Sequence, residues 1–135
     1  SWGLDYAALD RRIRAALGAV AKARGQALDP DQLTIVGYSQ GAARVAWLAR
    51  LYPKVYRRVV LIGTPSEPKV PRERETRQHM RDGVETLRRQ GVEALYLELP
   101  GARHGEYGEG APRVLDEALQ WVSSSGPGSP GSGPR

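Results

Sequence analysis

Apolar positions along the chain follow two alternating rhythms. Over residues 4–24, Leu9, Ile13, Ala16, Leu17 and Val20 recur three or four apart while Asp10, Arg11, Arg14 and Lys22 fall largely elsewhere. This spacing predicts an amphipathic helix, ended by Gly25 and the turn at Asp29-Pro30-Asp31. Residues 33–36 then form an unbroken run that suits a parallel strand covered on both faces. Helical spacing returns over 42–52 with Val45, Leu48, Ala49 and Tyr52, and Pro53 stops it. A second buried-type strand, 58–62, closes on Gly63-Thr64-Pro65, and a loop containing Pro65, Pro68 and Pro71 follows. Charged, helix-favouring residues surround His79, Met80, Val84 and Leu87 over 73–90, a further amphipathic helix ended by Gly91. Residues 92–99 read as a third strand. A last helix, 112–122, presents Val114, Leu115, Ala118, Leu119 and Val122.

Helix and strand therefore alternate throughout, which predicts an α/β fold: three layers, α/β/α, around a short, mostly parallel sheet of about three strands. Residues 1–122 make one domain, and the Ser/Gly/Pro-rich run 123–135 is expected to be a flexible tail. Right-handed crossovers bring the C-terminal strand ends, and the loops leaving them, to one edge. The residue at 39, the loop 64–75 and the loop 100–105 all leave strand ends there.

Composition narrows this picture only slightly. With 135 residues there is room for one modest core. The absence of cysteine excludes disulfides and thiolate metal sites, and no His and carboxylate cluster has metal-ligand spacing, so no cofactor or metal is expected. No apolar run is long enough to span a bilayer, and no charged-then-apolar leader precedes the first helix. The compartment is not readable. Seventeen Arg and 3 Lys against 15 acids give a net charge of +5. The arginines are scattered, however: Arg11, Arg12 and Arg14 on one helix, Arg57 and Arg58 before a strand, Arg72, Arg74, Arg77 and Arg81 interleaved with acids. Solvated helix faces account for most of them, and no nucleic-acid partner is expected.

The chemistry concentrates at Gly37-Tyr38-Ser39-Gln40-Gly41. Turning directly from a strand into a helix forces the apex residue, Ser39, into a strained conformation and brings strand and helix close together. Glycines at 37 and 41 are expected to relieve that crowding. The turn lifts the Ser39 hydroxyl above the sheet edge and aims the following amides, starting with Gln40, at whatever binds there. A serine needs a base, and histidine has the suitable pKa. Of the two histidines, His104 sits in a Gly-flanked loop after a strand, whereas His79 lies in a helical pattern beside Met80, where a half-buried structural role is expected. A carboxylate between serine and histidine should orient the imidazole, and Glu75 and Glu67 both qualify. Trp47 and Trp121 fall on helical faces and read as core.

Together Gly37-Tyr38-Ser39-Gln40-Gly41 and Leu99-Pro100-Gly101-Ala102-Arg103-His104-Gly105 resemble the nucleophile elbow and the histidine loop of the α/β-hydrolase superfamily, of the small esterase, lipase and dienelactone-hydrolase kind. The resemblance covers about residues 4–122 and matches the C-terminal half of that fold, a truncated core. It implies a serine hydrolase of carboxylesterase type with Ser39 as nucleophile, His104 as base, Glu75 (alternatively Glu67) as acid and the Gln40 amide at the oxyanion. The alternative is a non-catalytic or truncated hydrolase-like module that binds a partner. One strand of the family's pattern is missing after the elbow helix. If Glu73-Arg74-Glu75-Thr76 is what remains of the acid loop, Glu75 is the acid. The family's first strands, and the loop giving a second oxyanion amide, have no counterpart before Ser1. The elbow strand is thus expected at an open edge, covered by a second copy in a homodimer or by a missing N-terminal segment.

Overall fold

A computed structural model describes residues 4–65, 68–99 and 111–124. Its elements alternate as the apolar rhythm predicts: α1 (Tyr6–Ala23), β1 (Leu33–Tyr38), α2 (Gln40–Leu51), β2 (Tyr56–Pro65), α3 (Pro71–Arg89), β3 (Glu93–Leu99) and α4 (Ala111–Ser123). The three strands form one parallel sheet in the order β1-β2-β3. Leu33 lies opposite Tyr56 and Tyr38 opposite Ile62; Arg58 lies opposite Glu93 and Pro65 opposite Leu99.

Local chemistry sets the element ends. Asp5 caps α1, its carboxylate accepting from the Ala8 amide at 3.0 Å, which satisfies one of the helix's otherwise unpaired donors. Pro71 opens α3 in its first turn, where no amide is needed. At the other end of α3, Gly91 adopts φ +86°, and the Gly91 and Val92 amides return to Arg88 and Leu87 carbonyls at 3.1 and 3.0 Å, turning the chain straight into β3.

The sheet is covered by helices on both faces. On one, Leu33, Tyr56, Val59, Leu61 and Ala94 pack with Tyr6 of α1, Ala42, Leu48 and Ala49 of α2, and Met80, Val84 and Leu87 of α3. On the other, Val60, Ile62, Leu97 and Leu99 meet Val114, Ala118 and Trp121 of α4. The expected three layers are present. β2 is the spine: Val59, Val60, Leu61 and Ile62 are fully buried. Each such side chain contributes about 1.5–3 kcal/mol by burial, so the middle strand carries much of the sheet's stability.

Four expectations from the sequence need correction. β1 lies at the sheet edge, as expected, but is not covered on both faces: α4 lies over β2 and β3, which leaves Thr34 exposed and Val36 48% exposed. Asp10 does not face solvent. It is 3% exposed, because the Tyr56 hydroxyl donates to its carboxylate at 2.6 Å and Arg14 pairs with it at 3.0 Å. The apolar stripe of α1 is used only in part: Leu9 and Ile13 pack on the core, while Leu17 and Val20 are exposed. Trp47 is not core either; it packs at the surface against Tyr6 with the two rings tilted by 51°, and the Arg50 guanidinium lies 5.1 Å from its ring centroid.

Candidate functional site

The parallel sheet sends all three strand ends, Tyr38, Pro65 and Leu99, to one edge. Ser39 follows the first of them directly and precedes α2. Its backbone has φ 57° and ψ −124°, and it is the one non-glycine residue with positive φ among the described residues. Such a conformation costs on the order of 1–3 kcal/mol and persists only where its surroundings over-determine it. Here they do. The Ser39 amide donates to the Ile62 carbonyl at 2.7 Å, tying the turn to β2, and the Ser39 carbonyl accepts from Ala42 at 3.0 Å, starting the helix.

Close approach of α2 to β1 is the second constraint. A Cβ on Gly37 would lie 2.7 Å from both the Ala42 Cα and the Gly41 carbonyl oxygen, and 2.9 Å from the Val45 Cβ, so only glycine fits. Gly41 differs from expectation: a Cβ there meets nothing within 4 Å, because the residue faces away from the strand. Gly63 also lies beside the serine, but at ordinary contact distances. A Cβ on it would lie 3.4 Å from the Ala42 Cβ and 3.5 Å from the Ser39 carbonyl oxygen. The register between β2 and β3 shifts at Gly63, Ile62 facing Leu97 and Thr64 facing Glu98, so a bulge lies next to the serine. The sequence signal for Gly63 was its place directly after an apolar strand, read only as a turn.

Gln40 opens α2 and is exposed. The first amides of a helix lack intrahelical partners and carry the positive end of its dipole. No acidic residue stands in the first turn of α2 to neutralise it. A partial negative charge arriving above Ser39 would meet these amides.

Glu75 lies near the start of α3 and is exposed. His79, on the same helix, is exposed rather than half-buried, since the adjacent Met80 takes the core-facing position. Glu67 and His104 lie outside the described residues; they follow the ends of β2 and β3, the strands whose ends share an edge with Ser39. One carboxylate at this edge escaped sequence reasoning. Glu98, next to last in β3, is gripped by Arg81 of α3, whose Nε and Nη2 donate to its two oxygens, each at 3.1 Å. That bond raises the exposed Arg81 guanidinium's pKa.

Among the described residues no group of three or more His, Cys, Asp or Glu could hold a metal ion. No described helix is long and apolar enough to cross a membrane. A cleft of about 430 Å³ lined by Leu95, Glu117, Gln120, Trp121 and Ser124 sits at the C-terminal end of α4, by the strand starts and away from Ser39.

A family model described as the alpha/beta hydrolase fold matches residues 11–94, well over half of the chain. The chain belongs to this family. The matched span runs from α1 through the Ser39 turn, α2, β2 and α3 to the first residues of β3. Ser39, Gln40, Glu67 and Glu75 are inside it, and His104 follows it. No curated protein matches the chain. Hydrolase-like chemistry is therefore the class in which the Ser39 turn is read.

Proposed function

We propose that the chain is a serine hydrolase of carboxylesterase type, cleaving ester or thioester bonds through an acyl-enzyme. The observation that carries this reading is the strained backbone of Ser39 at the head of α2. A serine serving only as a helix cap would accept an amide hydrogen bond in an ordinary extended conformation. Ser39 makes no side-chain cap bond and takes φ 57°.

In the proposed cycle the Ser39 Oγ attacks the substrate carbonyl carbon while His104 takes the hydroxyl proton. The carbonyl oxygen becomes an oxyanion facing the Gln40 amide. Collapse expels the alcohol or thiol, which receives the proton from His104, and leaves an acyl group on Ser39. Water repeats the sequence and restores the serine. Glu75, or alternatively Glu67, orients the imidazole through its other nitrogen. An oxyanion donor such as the Gln40 amide contributes about a hundred- to a thousand-fold in rate. No cofactor takes part.

The test is turnover of a short-chain nitrophenyl ester by the wild-type chain and by Ser39→Ala. Loss of at least about three orders of magnitude in the variant supports the reading; equal turnover in both, or none in either, contradicts it.

A second reading, a hydrolase-like module acting by partner binding, is favoured by the edge strand. Thr34 and Val36 stand exposed on β1, which bears no charged residue to discourage pairing. In that reading a second copy or a further strand adds to β1. Light scattering at micromolar concentration separates a dimer from a monomer.

A further inference from the structure

α2 and α3 lie side by side on one face of the sheet and run the same way, each leaving the edge that carries Ser39 and returning to the strand starts. At the far end one bond fixes their relation. The side chain of Gln90, the C-cap of α3, donates to the Arg50 carbonyl of α2 at 3.1 Å. Ser39 lies eleven residues before Arg50, and His79 eleven before Gln90. At about 1.5 Å per helical residue, His79 therefore stands roughly level with the serine. α3 does not stop there: residues 71–78 carry it about 12 Å beyond that level. The strand before it does the same. β2 pairs Ile62 with Tyr38 and runs on three residues to Pro65, about 10 Å further. Together they form a wall on one side of Ser39.

Which flank of α3 faces α2 follows from the helical period. Arg72 lies eighteen residues before Gln90, five full turns, and so stands on the same line along the helix. The opposite flank is turned to β3. Arg81 and Arg88 lie about half a turn round from the Arg72 line, and they bind the Glu98 carboxylate and the Ala94 carbonyl there. Arg72 thus belongs to the α2 side of the wall, two turns beyond His79, and it is exposed. The wall is cationic. Over 69–78, Lys69, Arg72, Arg74 and Arg77 stand against Glu73 and Glu75, and α2 carries Arg44 near its start and no acid. Glu73 is half-buried, and Glu75 lies about 60° round the helix from the Arg72 line.

We propose that Arg72 is a specificity-determining residue of the Ser39 site, and that the site takes esters or thioesters whose acyl part ends in a carboxylate. The proposal rests on the serine-hydrolase reading above. An acyl chain joined at Ser39 and rising along α3 meets the Arg72 guanidinium, whose backbone lies about 10 Å beyond the level of the serine. A planar, permanently charged fork grips a carboxylate by two parallel bonds, which a neutral chain end cannot offer. Charge on the wall also raises the local concentration of an anionic ester. A carboxylate four methylenes from the ester carbonyl falls within the reach of an arginine side chain from that position.

The probe is the mono-nitrophenyl ester of adipic acid, compared with nitrophenyl hexanoate, which has the same chain length without the charge. The full chain is expected to favour the adipate ester by about ten-fold or more in kcat/KM, through a lower KM, and to lose part of that preference in high salt, because exposed charges are screened. Arg72→Gln is expected to lower the preference about ten-fold. Arg89→Gln, an equal change of charge on the last turn of α3, is expected to keep it. Equal kcat/KM for the two esters in the wild type overturns the proposal, as does an equal loss in the two variants, which marks the field of the whole chain. A wild-type chain that turns over neither ester overturns the hydrolase reading instead. Adipate titrated into that chain and followed by amide NMR shifts then decides the anion contact: shifts at Gln40 and over 70–79 support it, and their absence overturns it.

Discussion

Gly37 and Ala42 lie so close that a single added carbon on the glycine would sit 2.7 Å from the Ala42 Cα. The contact is backbone on one side and helix on the other, so no flexible side chain can yield. It fixes the crossing of α2 over β1, and with it the conformation of Ser39 between them.

Gly37→Ala is therefore expected to destabilise the chain by about 1–3 kcal/mol, the usual cost of overpacking a tight contact. Urea denaturation followed by circular dichroism measures it. The variant should also lose reactivity at Ser39 while still folded, because α2 can move away only by relaxing the turn.

Gly41→Ala tests the contrast. The motif treats both glycines alike, yet nothing lies within 4 Å of a Cβ on Gly41. Alanine is the better helix former by up to about 1 kcal/mol, so stability should be unchanged or slightly raised. A loss comparable to that of Gly37→Ala would mean that α2 sits differently on the sheet.

Tyr56 gives a pH dependence with a definite sign. Burial, and then its hydrogen bond to Asp10, push the Tyr56 hydroxyl's pKa well above the usual tyrosine range. The folded chain thus keeps a proton that the unfolded chain releases above about pH 10. The associated stability is complete below that pH and is lost as pH rises further. Tyr56→Phe should cost about 1–3 kcal/mol near neutrality, since it leaves the buried Asp10 carboxylate with Arg14 alone, and should flatten the alkaline slope of the denaturation midpoint. An unchanged slope above pH 10 would contradict the assignment.

The element order and the parallel sheet were legible because run length and period are local properties. The 33–36 and 58–62 runs and the helical stripes each announce themselves within about ten residues. Asp10 and Arg58 were not legible for the opposite reason. Each sits where charge ordinarily means solvent, and each is buried because its partner, 46 or 35 residues away, satisfies it. The Ser39 turn was readable from its glycines, but not which glycine does the work: that depends on the side of α2 that meets β1. Gly63 has no signature at all apart from its place at a strand end.

Two acids remain in competition, and exchange of one carboxyl for an amide distinguishes them. Glu75→Gln is expected to lower kcat by about 10⁴-fold if Glu75 orients the imidazole, as replacing an orienting carboxylate by its amide does in serine hydrolases, with Glu67→Gln close to wild type. The reverse pattern assigns the role to Glu67. Steady-state turnover of a nitrophenyl ester reads either.

Covalent capture decides whether Ser39 is the nucleophile. The chain is incubated with a fluorophosphonate and the adduct located by peptide mass spectrometry, alongside Ser39→Ala. A single adduct on Ser39, absent from the variant, is the predicted result. No adduct on the wild type, or the same adduct on both proteins, would contradict it.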